Sequence, residues 1–212
     1  MTENIAGIEI PDTALVRDIT EYIRDTEDEL LFNHSRRVFL FGALMGRERG
    51  LEVDLELLYA GAMFHDIGLT EAYRASQLRF EVDGAHAARA FLLERGVSPE
   101  RAQQVWLGIA LHTTPGVPEF LAPEVALVTA GVETDVLGIW YRSIAVADRA
   151  AVVAAHPRPD FKNRILAAFA EGNLHRPAST FGNVNADVLA RFQPGYRRED
   201  FVEIILDSDW AE

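Results

Sequence analysis

The feature that most constrains this chain is an apolar periodicity of three to four residues, which continues along nearly its whole length. With capping residues and helix-stopping glycines and prolines, the spacing predicts helices over about 12–31, 33–49, 54–66, 83–96, 99–112, 123–155 (in two or three pieces), 161–171, and from 185 and 198 onward. No long stretch alternates with period two, and no hairpin turn signal is present. The predicted fold class is therefore all-α, and a length of 212 residues indicates a single domain spanning 1–212.

Composition excludes several classes of protein. The chain has no cysteine, which rules out disulfides, cysteine nucleophiles, iron–sulfur clusters and cysteine-bearing zinc sites. It carries 33 acidic and 20 basic residues, and a net charge of −13 disfavours binding to nucleic acid. Lys162 is the only lysine, and no Gly-Lys-Ser/Thr sequence is present, so the chain has no Walker A motif.

The expected setting is a cytoplasmic protein that acts on a small molecule. The first residues, MTENIAGIEIPD, lack the basic and apolar regions of a secretory signal. The longest apolar stretches fall far short of the roughly 20 residues needed to span a bilayer. We therefore expect no membrane partner and no nucleic-acid partner. A homo-oligomer stays open, because the apolar segment FVEIIL at 201–206 can pack on the core or on a second subunit.

Four predicted helices each place a polar residue near one end of an apolar stripe. These residues are His34, His65, His112 and Asp135, and Asp66 directly follows His65. A buried carboxylate is costly unless it is paired or bound to a metal, so carboxylates and histidines converging in one core point to a metal site. From spacing alone, ordinary core histidines and a helix-end capping pair stay open as alternatives.

The local sequences resemble a known family. His34, then His65-Asp66, then Asp135 follow the H…HD…D order of the HD-domain superfamily of metal-dependent hydrolases. The resemblance covers about 30–165 and is closer still to the cyanamide-hydratase-like branch. The strings that carry it are NHSRRVF at 33–39, AMFHDIGLT at 62–70, RFEVDGAHAARAFL at 79–92, IALHTTPG at 109–116 and GVETDVLG around Asp135.

The resemblance implies an all-α HD-type bundle with a metal site in its core. Because it covers about 30–165, the predicted N-terminal helix and the C-terminal helices are extensions of this core. By position, the metal ligands would be His34, His65, Asp66 and Asp135. One divalent metal is implied, with Zn²⁺ as first choice because the branch is a zinc family; Fe and Mn²⁺ also suit histidine and carboxylate ligands.

Two departures from family patterns narrow the expected chemistry. Leu69 stands where phosphohydrolase members carry a lysine that serves phosphate. Phe80 stands where two-metal members carry a further histidine, so a second metal lacks one of its ligands. These differences favour one metal and a substrate without phosphate.

The implied activity is hydration or hydrolysis of a small nitrogen-containing, nitrile-like molecule such as cyanamide, by metal-activated water. A bound Zn²⁺ can lower the pKa of water from 15.7 to about 7. Asp66 and Glu81 are the candidate catalytic residues. The residues expected to contact substrate or to support the ligands are His112, Thr113, Phe80 and Arg37.

Local alternatives stay open for several of these residues. Glu81 could simply complement a helix dipole, Thr113 could cap a helix, and His112 could pack in the core. Of Arg36 and Arg37, at least one is expected to be solvated. The sequence does not decide between Asp66 and Glu81 as the general acid or base.

Two further functions compete with the hydratase. One is a nucleotide phosphohydrolase, whose cationic phosphate pocket could come from Arg36, Arg37, Arg74 and Arg79. The other is an HD scaffold retained only for binding or regulation. The physiological substrate, the identity of the metal and the oligomeric state are not determined by the sequence.

Overall fold

The computed structural model of the protein describes residues 3–210, which form a helical bundle preceded by a small hairpin. This confirms the all-α fold class. The helices are α1 (Ala14–Thr26), α2 (Glu29–Glu48), α3 (Leu55–Phe64), α4 (Phe80–Glu94), α5 (Pro99–Leu111), α6 (Pro123–Val132), α7 (Val146–Ala155), α8 (Phe161–Asn173), α9 (Asn185–Phe192) and α10 (Phe201–Leu206). Short 3₁₀ turns join several of them, and a π-helical turn, Glu133–Leu137, follows α6.

Several predicted boundaries differ from the structure. The first helix ends at Thr26 instead of continuing to about 31, because the side chain of Asp28 accepts a hydrogen bond from the Leu31 amide and caps α2. Helix α4 begins at Phe80, before the predicted start at Asp83. An irregular segment at 138–145 separates the π-helical turn from α7.

A hairpin near the N-terminus was not predicted. The two-residue strands β1 (Asn4–Ile5) and β2 (Ile8–Glu9) pair antiparallel. Ala6 and Gly7 form the turn with φ angles of 55° and 74°. Two successive residues with positive φ match the twist of a tight hairpin. The signal was missed because alanine rarely adopts this conformation.

Close backbone contacts at two glycines bring the elements of the bundle's centre together. Helix α2 is buried along most of its length. A Cβ atom on Gly131 of α6 would lie 2.2 Å from the Val38 carbonyl oxygen of α2, so only glycine permits this crossing. A Cβ atom on Gly68 would lie 2.1 Å from the Phe80 carbonyl oxygen. The contact at Gly131 brings the segment that carries Asp135 close to α2. The contact at Gly68 brings the turn after Asp66 against the start of α4.

The C-terminal third of the chain packs over one side of this centre. Helix α8 contributes Phe161 and Ile165 to an apolar cluster with Leu69 and Phe80. Helix α9 packs on α8. By contrast, every residue of α10 is exposed. Between residues 3 and 210, no helix combines the length and the apolar character needed to cross a membrane.

Candidate metal centre

Helix ends converge where the sequence predicts the ligands. His34 lies on α2, His65 caps the C-terminus of α3, and Asp66 directly follows it. Asp135 lies in the π-helical turn after α6, and His112 caps the C-terminus of α5. A π turn inserts an extra residue into a helical ladder and is frequent at functional sites, because it changes the direction of the side chains it carries.

Three of the four predicted ligands form a compact group, which we call the ligand triad: His34, His65 and Asp66. One potential ligand atom from each lies within 4.8 Å of the other two. The Nε2 atoms of His34 and His65 are 3.2 Å apart, and Asp66 Oδ2 lies 3.3 Å from His65 Nε2. All three residues have no solvent exposure. The triad is therefore a fully enclosed set of nitrogen and oxygen donors.

The outer hydrogen bonds of the triad direct its lone pairs inward. His65 Nδ1 lies 2.7 Å from the Ala62 carbonyl oxygen, which can only accept, so this nitrogen carries the proton. His34 Nδ1 donates to Asp135 Oδ2 over 2.7 Å. Within the described residues, neither carboxylate oxygen of Asp66 has a hydrogen-bond partner. Two inward Nε2 lone pairs and an unpaired buried carboxylate fit a divalent cation.

Asp135, the fourth predicted ligand, contacts the Nδ1 side of the His34 ring, whereas His65 faces its Nε2 side. Its carboxylate accepts from His34 Nδ1 and from Arg37, whose Nη2 is 2.9 Å from Oδ2. Arg158 Nε lies 3.0 Å from Oδ1. A carboxylate bound to the outer nitrogen of a ligating histidine fixes the orientation of its ring. Direct ligation by Asp135 stays a prediction, while the contact seen here is an orienting one.

Electrostatics favour ionised carboxylates in this core. Burial opposes ionisation of Asp66, but the imidazoles of His65, His34 and His112 hold its pKa well below the ordinary value. Burial alone would lower the pKa of His65, yet the adjacent Asp66 carboxylate raises it. For Asp135, His34 and Arg37 outweigh burial and lower the pKa. A proton on His65 and a bound cation would therefore compete for the same nitrogen.

His112 adds a third imidazole beside the triad. Its Nδ1 donates to the Ile109 carbonyl oxygen over 2.7 Å, and its Nε2 lies 3.7 Å from Asp66 Oδ1. Burial and the neighbouring His65 lower the pKa of His112 to about 4, so the ring is neutral at pH 7. The Phe80 ring centre is 5.6 Å from the His112 ring centre. The structure thus brings His112 and Phe80, two of the four predicted supporting residues, to the site.

Glu81 lies at the centre of a buried polar group next to His112. Its Oε1 accepts from Thr113, from Asn183 at 2.9 Å and from Asn185 at 3.3 Å, and Arg79 Nη2 lies 3.4 Å away. Its Oε2 has no hydrogen-bond partner in the described part of the chain. Burial opposes ionisation, but His112 and Arg79 lower the pKa of Glu81. Glu81 is therefore an ionised acceptor with one free oxygen.

Sequence reasoning missed several residues around the site. Glu27 is buried between α1 and α2, where burial and the Asp66 carboxylate raise its pKa well above the usual range. Phe161 packs its ring 5.3 Å from the His34 ring. Asn183 reaches Glu81 across about 100 residues of sequence. Helical spacing carries no signal for such distant contacts, and Glu27 stands in the ordinary acidic stretch DTEDE.

The expectation that Arg36 or Arg37 is solvated is wrong, since both are buried. Arg37 donates to Asp135 as described above. Arg36 donates to Tyr59 over 2.8 Å and to Glu3 over 2.6 Å. Both arginines are held inside the bundle by polar partners that are distant in sequence.

Fold and site together define an all-α protein with an enclosed histidine–aspartate centre suited to a divalent metal. Residues 31–154 match the family model of the HD domain. The chain therefore belongs to the HD domain family, within a superfamily of metal-dependent hydrolases. No curated protein matches the sequence.

We expect His156 to lower the free energy of unfolding as the pH is lowered from about 6.5 to about 4. Burial and Arg36 lower the pKa of His156 to about 4. The unfolded chain takes up this proton near pH 6.5, whereas the folded protein excludes it until about pH 4, so acid favours unfolding in this window. His34 and His112, whose pKa values are also lowered, act in the same direction, whereas His65 and Glu27, whose pKa values are raised, act in the opposite one. The contribution of His156 is therefore isolated by comparing variants.

Urea denaturation at pH 7 and pH 5 tests this prediction. His156→Gln should lose less stability between the two pH values than the wild type does. In the wild type, His156 Nε2 accepts a hydrogen bond from Arg36 Nε over 3.3 Å, and this contact opposes protonation of the ring. The control is His86→Gln, because His86 is exposed. Equal pH dependence in the wild type and His156→Gln would show that His156 does not exclude the proton.

Proposed function

We propose that the protein is a metal-dependent hydratase or hydrolase of a small nitrogen-containing, nitrile-like molecule, with cyanamide as the model substrate and urea as the product. The observation that carries the proposal is the enclosed ligand triad, with two inward imidazole nitrogens beside a carboxylate that has no hydrogen-bond partner among the described residues. Membership of a superfamily of metal-dependent hydrolases supports the same chemistry.

In this proposal His34, His65 and Asp66 hold one divalent metal. Asp135 either adds a fourth ligand or orients His34 through its Nδ1 hydrogen bond. Zn²⁺ is our first choice, and Fe or Mn²⁺ would suit the same donors. A metal bound here would supply Lewis acidity and lower the pKa of water.

The other residues would prepare the site for a small substrate. Phe80 and Phe161 place apolar rings against His112 and His34, which limits water in the site. Glu81, in its ionised form, would accept a proton or a hydrogen bond from an N–H group. A neutral His112 would accept a hydrogen bond at Nε2, since its Nδ1 already donates to a carbonyl. These roles need no phosphate-binding cation.

The arginines that a nucleotide phosphohydrolase would need already have partners. Each of the four lies within 4.0 Å of a carboxylate oxygen: Arg36 with Glu3, Arg37 with Asp135, Arg74 with Glu71, and Arg79 with Glu81. Recruiting them for phosphate would require breaking these ion pairs, and Arg36 and Arg37 are buried. This arrangement favours an uncharged substrate over a phosphate ester.

Metal content and substrate profiling test the proposal. Protein purified without chelator or nickel affinity resin should contain about one zinc per chain by elemental analysis. It should convert cyanamide to urea, lose this activity on chelation and regain it when zinc is restored. Release of phosphate from nucleoside monophosphates without nitrile hydration would overturn the substrate class. Absence of any bound metal would favour a non-catalytic module.

A further inference from the structure

The polar group around Glu81 is completed by residues from outside the family match, which ends at 154. Asn183 comes from the loop before α9 and Asn185 is the first residue of α9, and both are buried. Asn183 Nδ2 lies 2.9 Å from Glu81 Oε1 and 3.0 Å from Thr113 Oγ1. Thr113 directly follows His112, so the loop is joined through two side chains to the surroundings of the triad.

Asn183 is held in place by its own loop. Its Oδ1 accepts from the Asn185 backbone amide over 2.8 Å and also from the Asn185 side chain. Because the carbonyl end of the amide is fixed, the Nδ2 end must point toward Glu81 and Thr113. This hydrogen-bond pattern makes Asn183 a rigid donor to one chosen oxygen of Glu81.

Arg176 anchors the same loop to the two elements that carry the site. Its buried guanidinium donates to the Gly68 carbonyl oxygen, two residues after Asp66. It also pairs with Asp83 on α4, two residues after Glu81. The position of Asn183 is therefore tied to both the triad turn and the helix that carries Glu81.

The consequence is an asymmetric carboxylate. Glu81 Oε1 is saturated by Asn183, Asn185 and Thr113, while Oε2 is buried without a partner in the described residues. A buried acceptor without a hydrogen-bond partner destabilises the protein, and a charged one does so more strongly. A partner that donates an N–H group would relieve this cost and would bind with the strength of a charge-assisted hydrogen bond.

We propose that Asn183 is a positioning residue which holds Glu81 so that its free Oε2 accepts a hydrogen bond from an N–H group of the substrate. The substrate class is then a small molecule with at least one N–H donor. This inference rests on the proposed function, because it takes the enclosed centre as the place where the substrate binds. It adds a selectivity determinant that the HD domain match itself does not contain.

Cyanamide and acetonitrile form a matched pair of probes, since both are small linear nitriles and only cyanamide carries N–H groups. Ligand-observed NMR on zinc-loaded protein gives a Kd for each probe, whether or not turnover occurs; if cyanamide turns over, its KM and kcat are measured as well. The wild type should prefer cyanamide by about tenfold or more, as expected for one hydrogen bond to a charged acceptor.

Asn183→Ala should reduce this preference about tenfold and raise KM for cyanamide more than it lowers kcat, with the zinc content unchanged. The control is Asn173→Ala, because Asn173 is also buried but donates to the Phe169 carbonyl oxygen. It should keep the wild-type preference. Equal binding of both nitriles by the wild type, binding of neither, or an unchanged preference in Asn183→Ala would overturn the inference. Selective binding without turnover would instead contradict only the proposed reaction.

Discussion

Asp66→Asn is expected to lose divalent-metal binding and hydrolytic activity while keeping the helical fold. The substitution preserves shape but removes the charge that faces the Nε2 atoms of His34 and His65 at 3.6 and 3.3 Å. The triad would then offer a cation only its two imidazoles and no anionic ligand of its own, which is a poor site for Zn²⁺ or Mn²⁺. Elemental analysis and zinc titration by calorimetry measure the loss.

Stability gives a second measure of the same substitution. Wild-type protein with free zinc at about 1,000 times the Kd should gain roughly 4 kcal/mol in unfolding free energy over the chelated protein. Asp66→Asn should gain nothing from zinc. Asp187→Asn is a suitable control, because this carboxylate is exposed in an ion pair with Arg198. If Asp66→Asn kept full metal occupancy, the ligand assignment would be wrong.

Asp135→Ala is expected to lower the free energy of unfolding by about 3–5 kcal/mol, because it leaves the buried Arg37 without its carboxylate. Arg37 Nε and Nη2 both contact this carboxylate at 2.9 Å. Urea denaturation with chelator present isolates the structural effect from metal binding. Arg158→Ala should cost less, since Arg158 is partly exposed and Arg37 stays paired. Similar losses in the two variants would argue against the buried-charge explanation.

The same variant distinguishes the two roles open to Asp135. Loss of an orienting partner of a histidine ligand typically lowers metal affinity by 10–100-fold. Loss of a direct ligand should prevent stable binding altogether, as expected for Asp66→Asn. Asp135→Asn keeps an acceptor for His34 Nδ1 and should therefore recover much of the affinity if the role is orienting. Zinc titration of the three variants separates the alternatives.

The ligand triad could be predicted because its signals are local. His34 and His65 continue the apolar stripes of α2 and α3, and helix geometry alone directs them toward the core. The position of Asp135 was harder to predict. The π-helical turn changes the direction of the Asp135 side chain relative to the residues of α6. Its pairing with Arg37 also depends on how closely α2 and α6 cross at Gly131. Neither feature follows from periodicity.

The remaining site residues depend on how distant segments dock. Asn183 and Phe161 reach the site from loops and helices that follow the HD match, and single-sequence patterns do not fix such docking. Arg36 appeared solvated because arginines are mostly exposed. In the structure, Glu3 and Tyr59 satisfy its guanidinium inside the bundle. Polar side chains buried by long-range pairing were the main source of error.

Because the triad is fully enclosed, the rate at which a metal ion enters or leaves this centre depends on motions of the bundle as well as on the affinity of the ligands for the ion. Since His34, His65 and Asp66 have no solvent exposure, an ion can enter or leave only when part of the bundle opens. Helix α8 forms one wall of that enclosure through Phe161. The lifetime of a bound metal would then depend on how often the bundle opens as well as on the strength of the ligands, and a substrate would enter through the same opening.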